Sequence, residues 1–405
     1  MKVAILGAYG VEGEDIRKYL AKHEPNLELT LLDQKADPNY LSRLQEFDLI
    51  YKAPGVLHNL PEIRKATRAG VKIVSIVDLF FEKAKGTIIG ITGTKGKGTT
   101  TKLIYDILKA DGKQVYLGGN IGTSPLGFLE ELTDKSITVL ELSNVQLWAI
   151  KHSPHIAGVL NIFPDHLDWH KDFKEYVGSK AGIAKYQNKD DFIFYFPDNK
   201  YSKSIAKKSK GHKVGVDPTN LKIDLKMPGE HNRRNAAMAA AICAHVGVKP
   251  SVIIETIKEY EGLLYRLSKV ATKDSILYYN DSASTNPQTA AAAVKAFPGE
   301  KKVLIAGGYD KGLDYKPLKE AIKAETVKLV VLYGANKAKI KEALGDVVKI
   351  KLITGSLEEA VGAAKGALPG GGVVIFSPGA ASFDMFNSYK HRGETFDKIV
   401  KKLKD

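Results

Sequence analysis

The segment TIIGITGTKGKGTTTKLIYDILKA, residues 87–110, decides the fold of this chain. It begins with a β-branched run, passes through a glycine-rich turn, and ends in an amphipathic stretch that predicts a helix. A glycine loop between a strand and a helix start favours phosphate binding, because backbone N–H groups and the positive helix end face the anion. We expect Lys97 to contact the terminal phosphates of a nucleotide. The predicted phosphate-binding residues are Gly93, Thr94, Lys95, Gly96, Lys97, Gly98 and Thr99.

This loop departs from the strict pattern GxxxxGK[ST]. Ile91 occupies the first glycine position, and Gly98 stands where a magnesium-binding hydroxyl usually follows the lysine. Thr99 is therefore expected to supply that hydroxyl, directly or through water. A plain turn with an exposed lysine does not explain so restricted a set of residue types after a strand and before a helix.

The order of strand, glycine turn and amphipathic stretch occurs in three segments, which predicts parallel sheets with crossover helices. We expect three α/β domains: a Rossmann-like domain over residues 1–85, a central P-loop ATPase-type domain over 86–262, and a second Rossmann-like domain over 263–405. In the first segment, Gly7, Gly10 and Gly13 have a spacing that does not support NAD binding. A tight turn and a site for a nucleotide diphosphate both remain open there.

Composition indicates a globular protein of a reducing compartment. Of 405 residues, 44% are hydrophobic and 26% charged, and the lone Cys243 cannot form an internal disulfide. The N-terminus lacks a signal-peptide core, and no apolar run is long enough for a bilayer. The net charge of +14 is spread along the chain and favours polyanionic ligands in general terms. We expect a cytoplasmic monomer with no nucleic-acid or membrane partner.

Collinear motifs along essentially the whole chain resemble the Mur ligase family. They are GITGTKGKGTT, GGNIG at 118–122, LELSNVQL at 140–147, NIFPDHLDWH at 161–170, GEHNRRN at 229–235, NDSASTN at 280–286, AGGYDKG at 306–312 and SPGAASFDMF at 377–386. The resemblance implies an ATP-dependent amide ligase that activates a carboxylate as an acyl phosphate. ELSxxQL, the DS start of NDSAS and the SPxxAS…RG ending are most similar to the branch that adds D-glutamate to UDP-N-acetylmuramoyl-L-alanine in peptidoglycan precursor synthesis.

The resemblance also implies roles for residues around the nucleotide. It identifies Lys97, Glu141, His166 and Lys180 as catalytic, and Thr99, Glu141, His166 and carbamylated Lys180 as ligands of two Mg²⁺ ions. By its residue type alone Lys180 is an ordinary surface lysine of a helix, with Lys185 as the nearest competitor, and His166 alone would be a core or capping histidine. The remaining ATP-binding residues implied are Asn232, Asn235, Arg266 and Asp281. His231 belongs to the same motif as the two asparagines, where a helix N-cap is a competing explanation.

Two further groups of residues are implied to bind the substrates. The UDP-linked substrate is assigned to Gly10, Val11, Glu12, Asp33, Gln34, Gly55 and Asn120. Asp33 is also well placed to be a simple turn residue at the end of a strand. The amino acid is assigned to Thr285, Lys311, Ser382, Phe383 and Tyr389, where Lys311 would pair with a side-chain carboxylate. Ser382 as a helix cap and Tyr389 as a core residue are the structural alternatives.

Several positions differ from the pattern of the D-glutamate branch. Ala283 replaces a lysine, Tyr265 replaces a histidine before Arg266, Glu230 replaces a glutamine, and Gly98 gives the loop a form found in folylpolyglutamate synthases. Three hypotheses therefore remain. The first is D-glutamate ligation, and the second is the same chemistry on other substrates, in another Mur step, a pseudomurein peptide ligase or a folate polyglutamylating enzyme. The third is a nucleotide-binding relative without turnover.

Overall fold

A computed structural model describes residues 1–148, 150–165, 170–353 and 355–404. The described residues form three β-sheets and divide into two compact units. The first unit holds Met1–Ile223 and Arg234–Ile257, and the second holds Asp224–Arg233 and Lys258–Asp405. The two N-terminal sheets belong to the first unit, and the third sheet belongs to the second. The boundaries expected at residues 85 and 262 stay a prediction.

The first sheet has four parallel strands in the order β2-β1-β3-β4. The strands are β1 (Val3–Leu6), β2 (Leu29–Leu32), β3 (Leu49–Lys52) and β4 (Lys72–Ser75). The helices are α1 (Val11–His23), α2 (Pro61–Arg68) and α3 (Ile76–Lys83), with a 3₁₀ turn at Leu44–Glu46. All four residues of β1 are buried, as expected for a strand with helices on both faces of its sheet.

The second sheet has six parallel strands in the order β10-β9-β8-β5-β7-β6. They are β5 (Thr87–Thr92), β6 (Val115–Gly119), β7 (Ile137–Glu141), β8 (Ile156–Val159), β9 (Phe192–Tyr195) and β10 (His212–Gly215). The helices are α4 (Lys97–Ala110), α5 (Asn144–Trp148), α6 (Phe173–Lys180), α7 (Gly182–Lys185), α8 (Lys200–Ala206), α9 (Glu230–His245) and α10 (Pro250–Glu259), with 3₁₀ helices at Pro125–Glu131 and Pro218–Asn220.

The third sheet has the order β11-β12-β16-β13-β14-β15, in which only β11 is antiparallel to its neighbour. The strands are β11 (Ser268–Lys273), β12 (Ile276–Asn280), β13 (Lys302–Ala306), β14 (Val327–Leu332), β15 (Ile350–Leu352) and β16 (Gly372–Phe376). The helices are α11 (Pro287–Lys295), α12 (Lys316–Ala324), α13 (Lys337–Leu344), α14 (Leu357–Gly366) and α15 (Tyr389–Lys402), with a 3₁₀ turn at Gly345–Val347.

The predicted α/β class with parallel sheets is confirmed. The edge strand β15 is half-buried to exposed, because an edge strand has a neighbour on one side only. The first two sheets share one apolar core, in which Phe80 of α3 packs edge-on against Phe128 with ring centres 5.9 Å apart.

Parallel strands bring their carboxyl ends to one edge of each sheet, and that edge is where ligands of such sheets bind. The loops after β5, β6, β7 and β8 therefore meet at one edge of the second sheet. None of the helices in the described ranges is long and apolar enough to cross a membrane.

Candidate active site

The predicted phosphate loop connects β5 to α4. Gly96, directly before the helix, has a φ of +85°, a left-handed conformation that glycine adopts at little cost. A Cβ atom at this position would lie 2.1 Å from Oδ1 of Asn235, a buried residue of α9. The loop therefore brings together two of the residues predicted to bind ATP.

Two lysine ammonium groups meet at the carbonyl oxygen of Gly93. Lys97 Nζ donates to this oxygen at 3.1 Å and to the carbonyl oxygen of Thr94 at 3.2 Å. Lys180 Nζ, 87 residues further along the chain than Gly93, donates to the same oxygen at 3.1 Å. Two ammonium groups that share one acceptor repel each other, so the arrangement favours a bound anion or a neutral amine.

Lys180 lies at the end of α6 and is only 1% exposed. Burial, followed by the charge of Lys97, holds the pKa of the Lys180 ammonium well below its ordinary value. The interpretation of Lys180 as a surface lysine is therefore wrong, whereas its competitor Lys185 is exposed. A neutral amine is the form that adds to carbon dioxide, so the carbamylation implied by the resemblance fits this environment.

Glu141 ends β7 and is 4% exposed, at the same edge of the sheet as the phosphate loop. The side-chain amide of Asn120 donates to Glu141 Oε1 at 3.0 Å, and the Asn120 backbone N–H donates to the Glu141 carbonyl oxygen at 2.9 Å. The charge of Glu141 acts on Lys180 and opposes the lowering of its pKa. The structure thus brings Glu141 within electrostatic reach of Lys180 and fixes its carboxylate through Asn120.

The segment after β8 anchors the phosphate loop. The backbone N–H of Thr94 donates to the carbonyl oxygen of Asn161 at 2.9 Å, and the backbone N–H of Phe163 donates to Thr94 Oγ1 at 2.9 Å. Lys95 forms an ion pair with Asp165 at 3.0 Å. These contacts hold the phosphate loop against residues 161–165.

The predicted metal ligands are only partly described. His166 lies outside the described residues, and among those described no three His, Cys, Asp or Glu side chains gather into a metal-binding group. Thr99 lies in the first turn of α4 and is 7% exposed. Its hydroxyl and the Glu141 carboxylate are oxygen donors of the kind that Mg²⁺ takes together with water.

Six of the seven residues predicted for the UDP-linked substrate lie at the carboxyl edge of the first sheet. Gly10 is the N-cap of α1, which begins at Val11 with Glu12 in its first turn. Asp33 follows β2. Its carboxylate oxygens accept hydrogen bonds from the backbone N–H groups of Tyr9 and Lys35, both at 2.9 Å, as those of a turn residue do. Gln34 and Gly55 are both exposed, whereas Asn120, the seventh residue predicted for this substrate, follows β6 of the second sheet.

In the second unit, Arg266 lies in a short segment that also contacts Asp281. Tyr265 and Leu267, on either side of Arg266, both have positive φ, at 64° and 53°, which is uncommon for residues with side chains. The Leu267 backbone N–H donates to Asp281 Oδ1 at 3.1 Å, and Ser377 Oγ donates to Oδ2 at 2.6 Å. Burial raises the pKa of the Asp281 carboxyl to about 7, although these donors oppose the shift. The structure therefore brings the exposed Arg266 and the enclosed Asp281 carboxyl to one place.

The residues predicted to bind the amino acid follow three neighbouring strands of the third sheet, β12, β16 and β13. Thr285 is half-buried and Lys311 is exposed in the loop after β13. Ser382 is 2% exposed, whereas Phe383 is 68% exposed. Tyr389 is half-buried in the first turn of α15, so it is not a core residue.

Asn232 and His231 lie at the start of α9, in the second unit. The side-chain amide of Asn232 donates to the carbonyl oxygen of Pro228 at 2.8 Å. Burial lowers the pKa of the His231 imidazole. Asn235, three residues later, belongs to the first unit together with the phosphate loop.

Similarity to known proteins agrees with this geometry. A model of the Mur ligase middle domain matches residues 91–217. The chain is 36% identical to the UDP-N-acetylmuramoylalanine–D-glutamate ligase of Acetivibrio thermocellus, over 96% of this chain and 92% of that protein. This chain belongs to the Mur ligase family. Family membership makes it an ATP-dependent ligase, and it confirms the expectations about family, fold class and enzyme class.

Solved structures of Mur ligases have the same fold. A pseudomurein peptide ligase type C from Methanothermus fervidus matches with a TM-score of 0.58 and 17% identity, over the whole of both chains. The UDP-N-acetylmuramate-alanine ligase of Thermotoga maritima matches with a TM-score of 0.58 and 18% identity, also over the whole of both chains. At this level of identity the two structures support the fold alone.

Two residues of this Mur ligase were missed by sequence reasoning. Tyr176 lies one helical turn before Lys180, its hydroxyl is 3.0 Å from Thr94 Oγ1, and the Lys180 Nζ lies 4.7 Å from the centre of its ring. The four-residue spacing in YVGSK was the available signal, because such residues share a helix face. Lys52 is the other, a buried lysine at the end of β3.

The contact between Gly96 and Asn235 predicts a selective defect. In Gly96→Ala the methyl group would both strain the left-handed backbone and collide with Asn235. We expect the KM for ATP to rise by at least about tenfold, the factor that corresponds to about 1.4 kcal/mol of binding free energy. Steady-state kinetics with ATP as the varied substrate measures this.

Gly127→Ala is the matched control for this variant. Gly127 has no positive φ, and no atom lies within 4 Å of the place that a Cβ would take there, so its KM for ATP should equal that of the wild type. An unchanged KM in Gly96→Ala would show that the loop tolerates the methyl group and does not bind ATP as described.

Proposed function

We propose that this Mur ligase joins D-glutamate to UDP-N-acetylmuramoyl-L-alanine with ATP, in peptidoglycan precursor synthesis. The observation that carries the proposal is the meeting of Lys97 and Lys180 at the Gly93 carbonyl oxygen, beside Glu141. This is a site for a highly charged phosphoryl group next to an anionic oxygen ligand. The name of the Acetivibrio thermocellus relative supports D-glutamate as the amino acid.

The fold by itself does not select the substrate. The pseudomurein peptide ligase and the UDP-N-acetylmuramate-alanine ligase match this chain with the same TM-score of 0.58, although their names give different reactions. The choice of D-glutamate therefore depends on the 36% identity over nearly the whole chain and on the loops of the third sheet.

The reaction needs a carboxylate to become an electrophile. The carboxylate oxygen attacks the terminal phosphorus of ATP, ADP leaves, and the acyl phosphate that results is attacked by the amine, which expels phosphate. Negative charge accumulates on the transferred phosphoryl group in the first step. Lys97 lies where it stabilises that charge, and the N–H groups at the start of α4 orient the phosphates.

The proposed site would bind two Mg²⁺ ions. Thr99 and Glu141 would hold the first, and His166 and carbamylated Lys180 would hold the second. The ions would neutralise the phosphate charge and orient the triphosphate. Carbamylation converts the neutral Lys180 amine and carbon dioxide into a carbamate anion and a proton, which replaces an unfavourable buried cation by an oxygen ligand.

Each of the other proposed site residues binds either the nucleotide or one of the two substrates. Asn232 and Asn235 lie toward the adenosine, Arg266 contacts a phosphate and Asp281 the ribose. Exclusion of water from the bound nucleotide would protect the acyl phosphate from hydrolysis. The UDP-linked substrate lies against the first sheet and reaches Asn120, which fixes Glu141.

In the amino-acid site, Lys311 pairs with the side-chain carboxylate of D-glutamate. Thr285, Ser382, Phe383 and Tyr389 surround the rest of the amino acid. Ala283 leaves Lys311 as the main positive group among these residues, which makes its charge more important for selecting a diacid. The enzyme acts in the cytoplasm as a monomer, where its single, buried thiol is stable.

Phosphate release from ATP tests the proposed reaction directly. The purified enzyme should release phosphate only when UDP-N-acetylmuramoyl-L-alanine and D-glutamate are both present. Other UDP-linked muramoyl acceptors, L-glutamate and a folate acceptor serve as comparisons. Release with folate and glutamate would reassign the substrate within the family, and no release with any pair would indicate a nucleotide-binding relative without turnover.

Carbamylation of Lys180 predicts chemical rescue. Lys180→Ala should lower kcat on the order of a hundredfold or more, the scale for losing one group that stabilises transition-state charge. Formate or acetate should restore part of the rate, because a small carboxylate can enter the space and supply the missing oxygen ligand. Lys185→Ala, which removes an exposed lysine nearby, should keep the wild-type rate. Equal responses of both variants to carboxylates would contradict the carbamate.

The diacid site predicts a change confined to the amino acid. Lys311→Ala should raise the KM for D-glutamate by about tenfold or more, since a hydrogen bond to a charged group contributes roughly 1.5–3 kcal/mol. The KM values for ATP and the UDP-linked substrate should stay close to the wild type. Lys328→Ala, which removes another exposed lysine of the third sheet, is the control. A wild-type KM for D-glutamate in Lys311→Ala would place the diacid elsewhere.

A further inference from the structure

The first sheet contains a buried cation that no part of the proposed reaction uses. Lys52 is the last residue of β3 and is 2% exposed. Its Nζ donates to the carbonyl oxygens of Ala53 at 3.1 Å and Val56 at 2.6 Å. Among the described residues no carboxylate forms an ion pair with it. Burial lowers the pKa of the Lys52 ammonium to about 8, which is the mark of an uncompensated charge.

The position of Lys52 in the sheet is that of a ligand site. In the order β2-β1-β3-β4 the chain runs to one side from β1 to β2 and to the other side from β3 to β4. Such a reversal opens a crevice outside the carboxyl ends of the two central strands, where open parallel sheets bind their ligands. The two strands are β1 and β3, and Lys52 lies at the end of the second.

The turn that Lys52 holds forms one wall of this crevice. The Ala53 backbone N–H donates to the Leu6 carbonyl oxygen at 2.9 Å, which ties the turn to the end of β1. A Cβ atom at Gly7 would lie 3.0 Å from Ala53 Cβ and 3.2 Å from a methyl carbon of Val56. The turn therefore packs tightly on the loop after β1, while Gly55 at its tip is exposed.

Further positive charge lies near the same turn. The charges of Lys52 and Arg64 both act on His58 and, after burial, lower the pKa of its imidazole. Arg64 is on α2, which begins at Pro61. A cluster of this sign beside an exposed glycine turn is suited to an anionic ligand such as a nucleoside diphosphate.

We propose that Lys52 is a positioning residue of the site for the UDP-linked substrate: its ammonium group fixes the turn 53–56 and adds positive charge beneath the diphosphate. The inference rests on the proposed function, because it takes the diphosphate of that substrate as its ligand. Lys52 acts through the turn, since it is too deeply buried to touch the substrate itself.

Two variants separate this role from a general effect on folding. Lys52→Met removes the charge and both hydrogen bonds but keeps an unbranched side chain. Lys52→Gln keeps a hydrogen-bond donor without the charge. We expect Lys52→Met to raise the KM for the UDP-linked substrate about tenfold and Lys52→Gln to raise it less, with the KM values for ATP and D-glutamate unchanged.

A second buried lysine provides the matched control. Lys302 is 0% exposed and forms an ion pair with Glu325 at 2.5 Å in the third sheet. Lys302→Met should lower the melting temperature and leave the KM for the UDP-linked substrate at the wild-type value. A rise of all three KM values in both Lys52 variants, or a wild-type KM for the UDP-linked substrate in the folded variants, would overturn the inference.

Binding of UDP alone separates this inference from the reaction. Calorimetry with the full-length wild type and with Lys52→Gln should show weaker UDP binding in the variant, whether or not the wild type turns over D-glutamate. Loss of turnover with retained and Lys52-dependent UDP binding would reject the reaction alone. Absence of UDP binding to the wild type, or equal binding by both proteins, would reject the role of Lys52.

Discussion

The site depends on one carbonyl oxygen, that of Gly93, which accepts hydrogen bonds from the side chains of Lys97 and Lys180. The two ammonium groups repel each other, and one of them, that of Lys180, is buried. Loss of a proton from the Lys180 amine, or an arriving anion, would relieve the repulsion. Lys180 is the last residue of α6, and its ammonium reaches the loop after β5 from there. The same repulsion disfavours the charged form of Lys180 and favours an anion beside the two lysines.

Glycine geometry makes this arrangement compatible with a nucleotide. The left-handed Gly96 lets the loop turn into α4 while Asn235 approaches it from α9. Asn120 holds Glu141 from the neighbouring strand β6. Strands β6, β7 and β5 lie side by side, so the three loops are placed by the sheet rather than by their own rigidity. Mutual placement by a parallel sheet is what gives the loops a common edge at which charge can be concentrated.

The sequence predicted the parts of this site that local chemistry determines. The strand, glycine loop and helix of residues 87–110 are visible in residue types, and the structure has them at Thr87–Thr92 and Lys97–Ala110. The burial of Lys180 was not predictable, because a lysine at the end of a short helix is usually exposed and only packing from distant segments encloses it. Asp33 shows the opposite case, since its bonds to Tyr9 and Lys35 are those of the simple turn residue that the sequence also allowed.

Lys52 and Lys180 illustrate two uses of the same unfavourable group. Lys52 is the last residue of β3, whereas Lys180 ends α6 and reaches the loop after β5 through its hydrogen bond to Gly93. In each, burial lowers the pKa of the ammonium. Lys180 shares its acceptor with a second cation, so its charge is best removed by chemistry. Lys52 donates to two carbonyl oxygens, so its positive charge can persist and attract an anion that binds at the turn 53–56. A buried amine is costly in both places, and an anionic ligand near either lysine would offset that cost.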